Sequence, residues 1–98
     1  DFSERVQHDL EAMVGRVEAL YDLTRTIMET RNTSLLGSVD RVEEEIDAFR
    51  KRLIDSHIHR LNTGECRPEC SSVFINLVSN LERLGDHLTY IAHSVRAA

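Results

Sequence analysis

Tryptophan is absent from the 98 residues, proline occurs once, and there are only two cysteines, two tyrosines and three phenylalanines. Each shortage excludes something. With few aromatics the core must be mostly aliphatic, and with one proline long helices can run unbroken. Two cysteines do not make a disulfide framework. No apolar run approaches the ~20 residues of a membrane span, and no signal peptide is visible. Cations are outnumbered by acids, 12 against 17, for a net charge of −5. The acids are spread along the chain, so no basic stripe exists for a phosphate backbone and nucleic acid is not an expected partner. Nothing matches a Ser-His-Asp or reactive-Cys arrangement or a Gly-rich phosphate cradle, so an enzyme is not expected. Repeats, low-complexity tracts and linkers are also missing, which leaves one domain over residues 1–98. The opening "DFSERV" lacks an initiator Met, which suggests a piece of a larger, cytoplasmic protein.

What the chain does have is helical periodicity. Val6, Leu10, Met13, Val17, Leu20, Thr24 and Ile27 are separated by steps of four and three, with Val14, Tyr21 and Met28 widening the stripe. A second stripe runs through Leu35, Val39, Val42, Ile46, Phe49 and Leu53. A third runs through Phe74, Leu77, Leu81, Leu84, Leu88, Ile91 and Val95. The expected fold is all-α, an antiparallel three-helix bundle with helices over about 2–31, 35–61 and 69–96. In "NTGECRPEC" Gly64 suits a left-handed C-terminal cap and Pro68 the first turn of the next helix. In "RNTSLLGS" Asn32, Thr33 and Ser34 are turn and cap formers. The spacing there also fits a stutter in one continuous helix, which would be about 90 Å long and would leave its seam uncovered. A turn is the better reading.

Gly85 interrupts "NLERLGDHLTYIAH" about 60° from the centre of the third stripe. Glycine inside a helix costs roughly 1 kcal/mol relative to alanine, so close packing by a neighbour or room for a ligand is the expected compensation. Beside it Glu82 and Asp86 lie four apart on one face, continued by Thr89 and His93. Helix two repeats the spacing in Glu43 and Asp47, and helix one in Glu18 and Asp22. All three pairs fall near mid-height and could form a belt. Like charges at this spacing repel, and a bound cation reverses that; oxygen donors suit Mg, Ca, Mn or iron, with His93 a further nitrogen. Against this, composition alone yields roughly three such pairs on ordinary solvated faces.

"HIHRLNTGECRPEC" offers His57, His59, Cys66 and Cys70, a set with zinc chemistry. Yet His57 and His59 diverge by about 200° on a helix, and the cysteines straddle a proline turn. Packing near the helix end for His57, and buried thiols for Cys66 and Cys70, are the plainer expectation.

"NLERLGDHLTYIAH", with its Glu82, Arg83, Gly85 and Asp86, and "VEEEIDAF" resemble the PhoU-like helical domains of bacterial phosphate uptake and its regulation. The resemblance covers about residues 39–95 and implies a three-helix bundle whose acidic motifs bind metal ions, iron or related ions. On that basis Glu43, Asp47, Glu82 and Asp86 become the expected ligands, Glu18 and Asp22 lying outside the well-matched part. "HIHRLNTGEC" is similar to the PhoU-like tail of bacterial sodium/phosphate cotransporters. This implies a regulatory domain tethered at the inner face of the cell membrane, its partner a membrane transporter region in the same chain or a separate phosphate-transport protein, with a homo-oligomer allowed. The alternatives are a free-standing PhoU-type regulator, which has two such bundles in tandem where this chain has one, a metal-free helical scaffold, and a carboxylate-bridged metal enzyme. The last lacks the Glu-x-x-His pairs of di-metal bundles.

Overall fold

Where the first stripe keeps its spacing, the backbone is helical: α1 spans Glu4–Thr30 and buries all seven residues from Val6 to Ile27 that the stripe contains. The computed structural model describes residues 4–64 and 68–97, and of residues 68–70 the backbone alone. After Thr30 the chain turns. Arg31 takes a left-handed φ of 58°, and its amide closes on the Ile27 carbonyl at 2.7 Å. Asn32 then caps a short 3-10 turn, Thr33–Leu35, its side-chain oxygen accepting from the Ser34 amide at 3.1 Å and the Ser34 hydroxyl at 2.6 Å. These local bonds give the backbone an alternative to continuing the helix, and the single long helix does not form.

The second helix, α2, covers Leu36–Asn62 and stops where Thr63 bonds back to the His59 carbonyl and Gly64 adopts a φ of 79°. A left-handed residue at this place costs glycine no side-chain clash. The third, α3, covers Pro68–Ser94, with the proline at its first position, where a missing amide proton leaves no helical bond unmade. Each helix packs against both others in a body of 54 × 19 × 17 Å. Ion pairs fix the direction of α2 against α1: Arg16 meets Glu45 at 3.0 Å, and Arg52 approaches Asp9 at 3.8 Å. The topology is therefore up-down-up, an all-α three-helix bundle.

The third stripe is rotated from its expected centre. Phe74, Val78, Leu88 and Ala92 are buried, whereas Leu77, Leu84 and Ile91 are 40%, 47% and 41% exposed. Gly85 lies in the seam rather than at its border, because a Cβ there would stand 3.3 Å from Ile46 Cδ1. The side of α3 that carries glycine and alanine is the side that can come closest to two neighbours, and the leucines one turn away are left at the flank. Thr24, the one polar member of the α1 stripe, donates to the Leu88 carbonyl at 3.3 Å and so enters the core satisfied.

Candidate functional site

The close approach at Gly85 sets α2 and α3 near enough for their acids to meet. Glu43 and Asp47 project from α2, Glu82 and Asp86 from α3, and together with Glu44 and Ile46 they line a pocket of about 170 Å³. The four are not evenly spread around it. Asp86 stands beside Glu43 and Glu82 beside Asp47, so that acid faces acid twice across the helix pair. Arg50 closes one end, reaching Asp47 at 2.9 Å and Glu82 at 2.5 Å, and Lys51 adds a contact to Asp47 at 3.2 Å. At the other end His93 meets Asp40 at 2.7 Å.

This arrangement changes how the carboxyls hold protons. Burial raises Glu43 above the ordinary carboxylate range, and the neighbouring carboxyl of Asp86 pushes it further. Burial also raises Glu82; Arg50 offsets part of the rise, and Asp47 and Asp86 restore it. Asp47 goes the other way, held down by hydrogen bonds from Arg50 and Lys51. Each pair thus contains one carboxyl that keeps its proton more readily than usual. Thr89 Oγ1, buried beside Glu43, offsets part of its rise without completing a hydrogen bond.

A family model for the PhoU domain matches residues 10–95 of the chain. The chain belongs to the PhoU domain family. No curated protein and no solved structure matches it significantly. A PhoU domain points to a regulatory role in phosphate transport rather than to catalysis.

The carboxylates of this PhoU domain fit a hard cation in chemistry, though not in their present placing. All four donors are oxygens, burial with some help from neighbouring acids raises two of them, and a hydroxyl that completes no hydrogen bond lies alongside. Among the described residues, however, no three His, Cys, Asp or Glu side chains stand together as a ready metal site. Arg50 already neutralises Asp47 and Glu82.

The other residues singled out by their spacing lie elsewhere. Glu18 and Asp22 line the groove between α1 and α3, away from the four acids, so the three pairs do not share one pocket. His93 is engaged by Asp40. His57 is buried, stacked on Phe74 at 4.6 Å, while His59 is exposed, as their divergence on a helix requires. The Nε2 of His57 stands 2.7 Å from Ser71 Oγ, and its Nδ1 3.4 Å from a guanidinium nitrogen of Arg60. Cys66 and the Cys70 side chain lie outside the described residues. Sequence reasoning missed Arg50 and Asp40, and it placed Thr89 on the line of Glu82 and Asp86 without its burial. Arg50 was findable, being one turn from Asp47 on the same face, where a cation answers paired acids.

Proposed function

We propose that this PhoU domain is the cytoplasmic regulatory part of a sodium-dependent phosphate transporter, and that a hard cation held by Glu43, Asp47, Glu82 and Asp86 is the signal it reads. The acid-against-acid contacts across α2 and α3 carry the cation reading. A protein that sets two facing acid pairs along one pocket and neutralises one pair with an arginine has left the other, Glu43 and Asp86, without a comparable cation among the described residues. Oxygen donors favour Mg, Ca, Mn or iron over zinc. The transporter context rests on the resemblance of "HIHRLNTGEC" and "NLERLGDH" to the cotransporter tails. It has physical support in the acidic composition, since a bundle of net charge −5 is not attracted to an anionic leaflet and needs covalent attachment or a protein partner to stay near a transporter.

Thermal unfolding with and without Mn²⁺, Ca²⁺, Mg²⁺ or Fe³⁺ tests the cation reading. At a hundred times its dissociation constant a cation adds about 2.7 kcal/mol of stability. The double variant Glu82→Ala, Asp86→Ala should lose that gain, while in chelator its stability should change little, because removal of like charges offsets the loss of the Glu82–Arg50 ion pair. Equal stabilisation of both proteins would refute the ligand set. Deleting this domain from the transporter should leave sodium-driven phosphate uptake in place and alter its response to external phosphate. An unchanged response would favour the free-standing regulator.

A further inference from the structure

The groove between α1 and α3 is lined by apolar side chains that the bundle leaves exposed. Val14, Tyr21 and Met28 follow one another at seven-residue intervals on α1, and so do Leu77, Leu84 and Ile91 on α3. Two pockets, of about 540 and 340 Å³, run along the trough between these rows. From Val14 to Met28 the α1 row is about 21 Å long, which is the length of roughly four turns of a further helix.

The charge of the trough is one-sided. Glu18, Asp22 and Glu29 stand along its α1 edge with one cation, Arg25, among them, while the α3 residues that line the pockets are all apolar. Arg25 lies 3.8 Å from Asp22, and Glu18 and Glu29 form no ion pair among the described residues. Any helix laid over the trough takes water from these carboxylates, and a carboxylate that loses water without gaining a donor or a cation is destabilising. A neutral helix offers no such gain, and a second copy of the chain or an anionic membrane adds like charge. Ammonium or guanidinium groups beside the acids turn the same burial into attraction.

We infer that this groove is a docking site for an amphipathic helix of a partner protein, its apolar stripe seated between the two rows and lysines or arginines along its edge meeting Glu18, Asp22 and Glu29. Glu18 and Asp22 are one turn apart and Glu29 about two turns further on, so the partner's cations belong at steps of four and seven. The acidic α2/α3 pocket opens on the other side of α3, and the docking site does not rest on the cation reading.

Fluorescence anisotropy of labelled helical peptides of about 18 residues, titrated with the full chain in chelator, tests the inference. The peptides share one leucine stripe at three- and four-residue steps and differ in the flanking positions, which carry Lys, Gln or Glu. The Lys peptide should bind at least about tenfold more tightly than the Gln peptide, and the Glu peptide more weakly still, with the differences shrinking as salt rises. Tyr21→Gln with Leu84→Gln should weaken the Lys peptide at least about tenfold with helix content unchanged, since both sites are exposed. Glu18→Lys with Asp22→Lys should reverse the order of the Lys and Glu peptides. Glu4→Lys with Asp55→Lys, the same change of net charge at exposed sites outside the groove, should leave that order as it is. A Lys peptide that binds no better than the Gln peptide, an order that follows net charge wherever the lysines are placed, or binding indifferent to the Tyr21 and Leu84 changes overturns the docking site. So does a dimer in sedimentation equilibrium, or flotation with phosphatidylglycerol vesicles, that the Tyr21 and Leu84 changes abolish, because either puts a different occupant in the groove.

Discussion

The two grooves that flank α3 share a wall and differ in what they do with their neighbours. Toward α2 the helix offers Gly85, Glu82 and Asp86, the backbones come close, and charged groups across the seam answer one another. Toward α1 it offers Leu77, Leu84 and Ile91, which find no partner inside the bundle and stay 40–47% exposed. The difference shows what a small residue decides in a bundle this thin. Three helices can fill one seam each way, and the close approach at Gly85 draws α3 toward Ile46 and Leu20 at the expense of the leucine row.

The largest break in that comparison should come from Gly85→Leu. A side chain driven against Ile46 forces α2 and α3 apart, at a cost of about 3 kcal/mol in urea unfolding. A near-neutral result would mean that the helix separation does not depend on the glycine. Smaller, at about 1 kcal/mol in chelator, is the loss expected from Arg50→Ala, whose ion pairs are about a third exposed and correspondingly screened. The same variant should gain more stability from added cation than the parent does, because Asp47 and Glu82 are released. Equal gains would show that Arg50 is not a competitor for the site.

Gly15→Ala should move stability the other way, by about 0.8 kcal/mol, since a Cβ at this glycine within α1 meets nothing within 4 Å. Set beside Gly85, it separates a glycine needed for packing from one that is not. The smallest effect expected is a pH dependence from His57. Burial, helped by the charge of Arg60, lowers its pKa from 6.5. Between the two values the unfolded chain binds the extra proton, so the contribution of the neutral ring is complete above 6.5 and is lost as pH falls through the lower, folded value. Urea unfolding from pH 7.5 down to 5 should show a decline that His57→Leu flattens; an identical slope in both proteins would remove His57 as its source.

The α1 stripe, the Asn32 turn and the Gly64 cap were legible because each depends on residues within one or two turns of each other. The pairing of Glu43 with Asp47 and of Glu82 with Asp86 on single faces was legible for the same reason, as was the family resemblance carried by "NLERLGDHLTYIAH". The belt of three acidic pairs was not a sound extension. Whether Glu18 and Asp22 join the others depends on how each helix is turned about its own axis, and spacing along one helix says nothing about that.

Periodicity and local capping thus determined, without any fold in view, that this chain makes long helices, where they turn, and which residues share a helix face. Only the tertiary structure decided that α3 is rotated to bury Gly85 and Ala92 while leaving Leu84 at the flank, that Arg50 answers Asp47 and Glu82, and that Thr89 is buried without completing a hydrogen bond. The physical reason is that an apolar arc wider than one neighbour can cover admits several rotations of similar hydrophobic gain. Contacts of a few tenths of an ångström, such as that between Gly85 and Ile46, select among them.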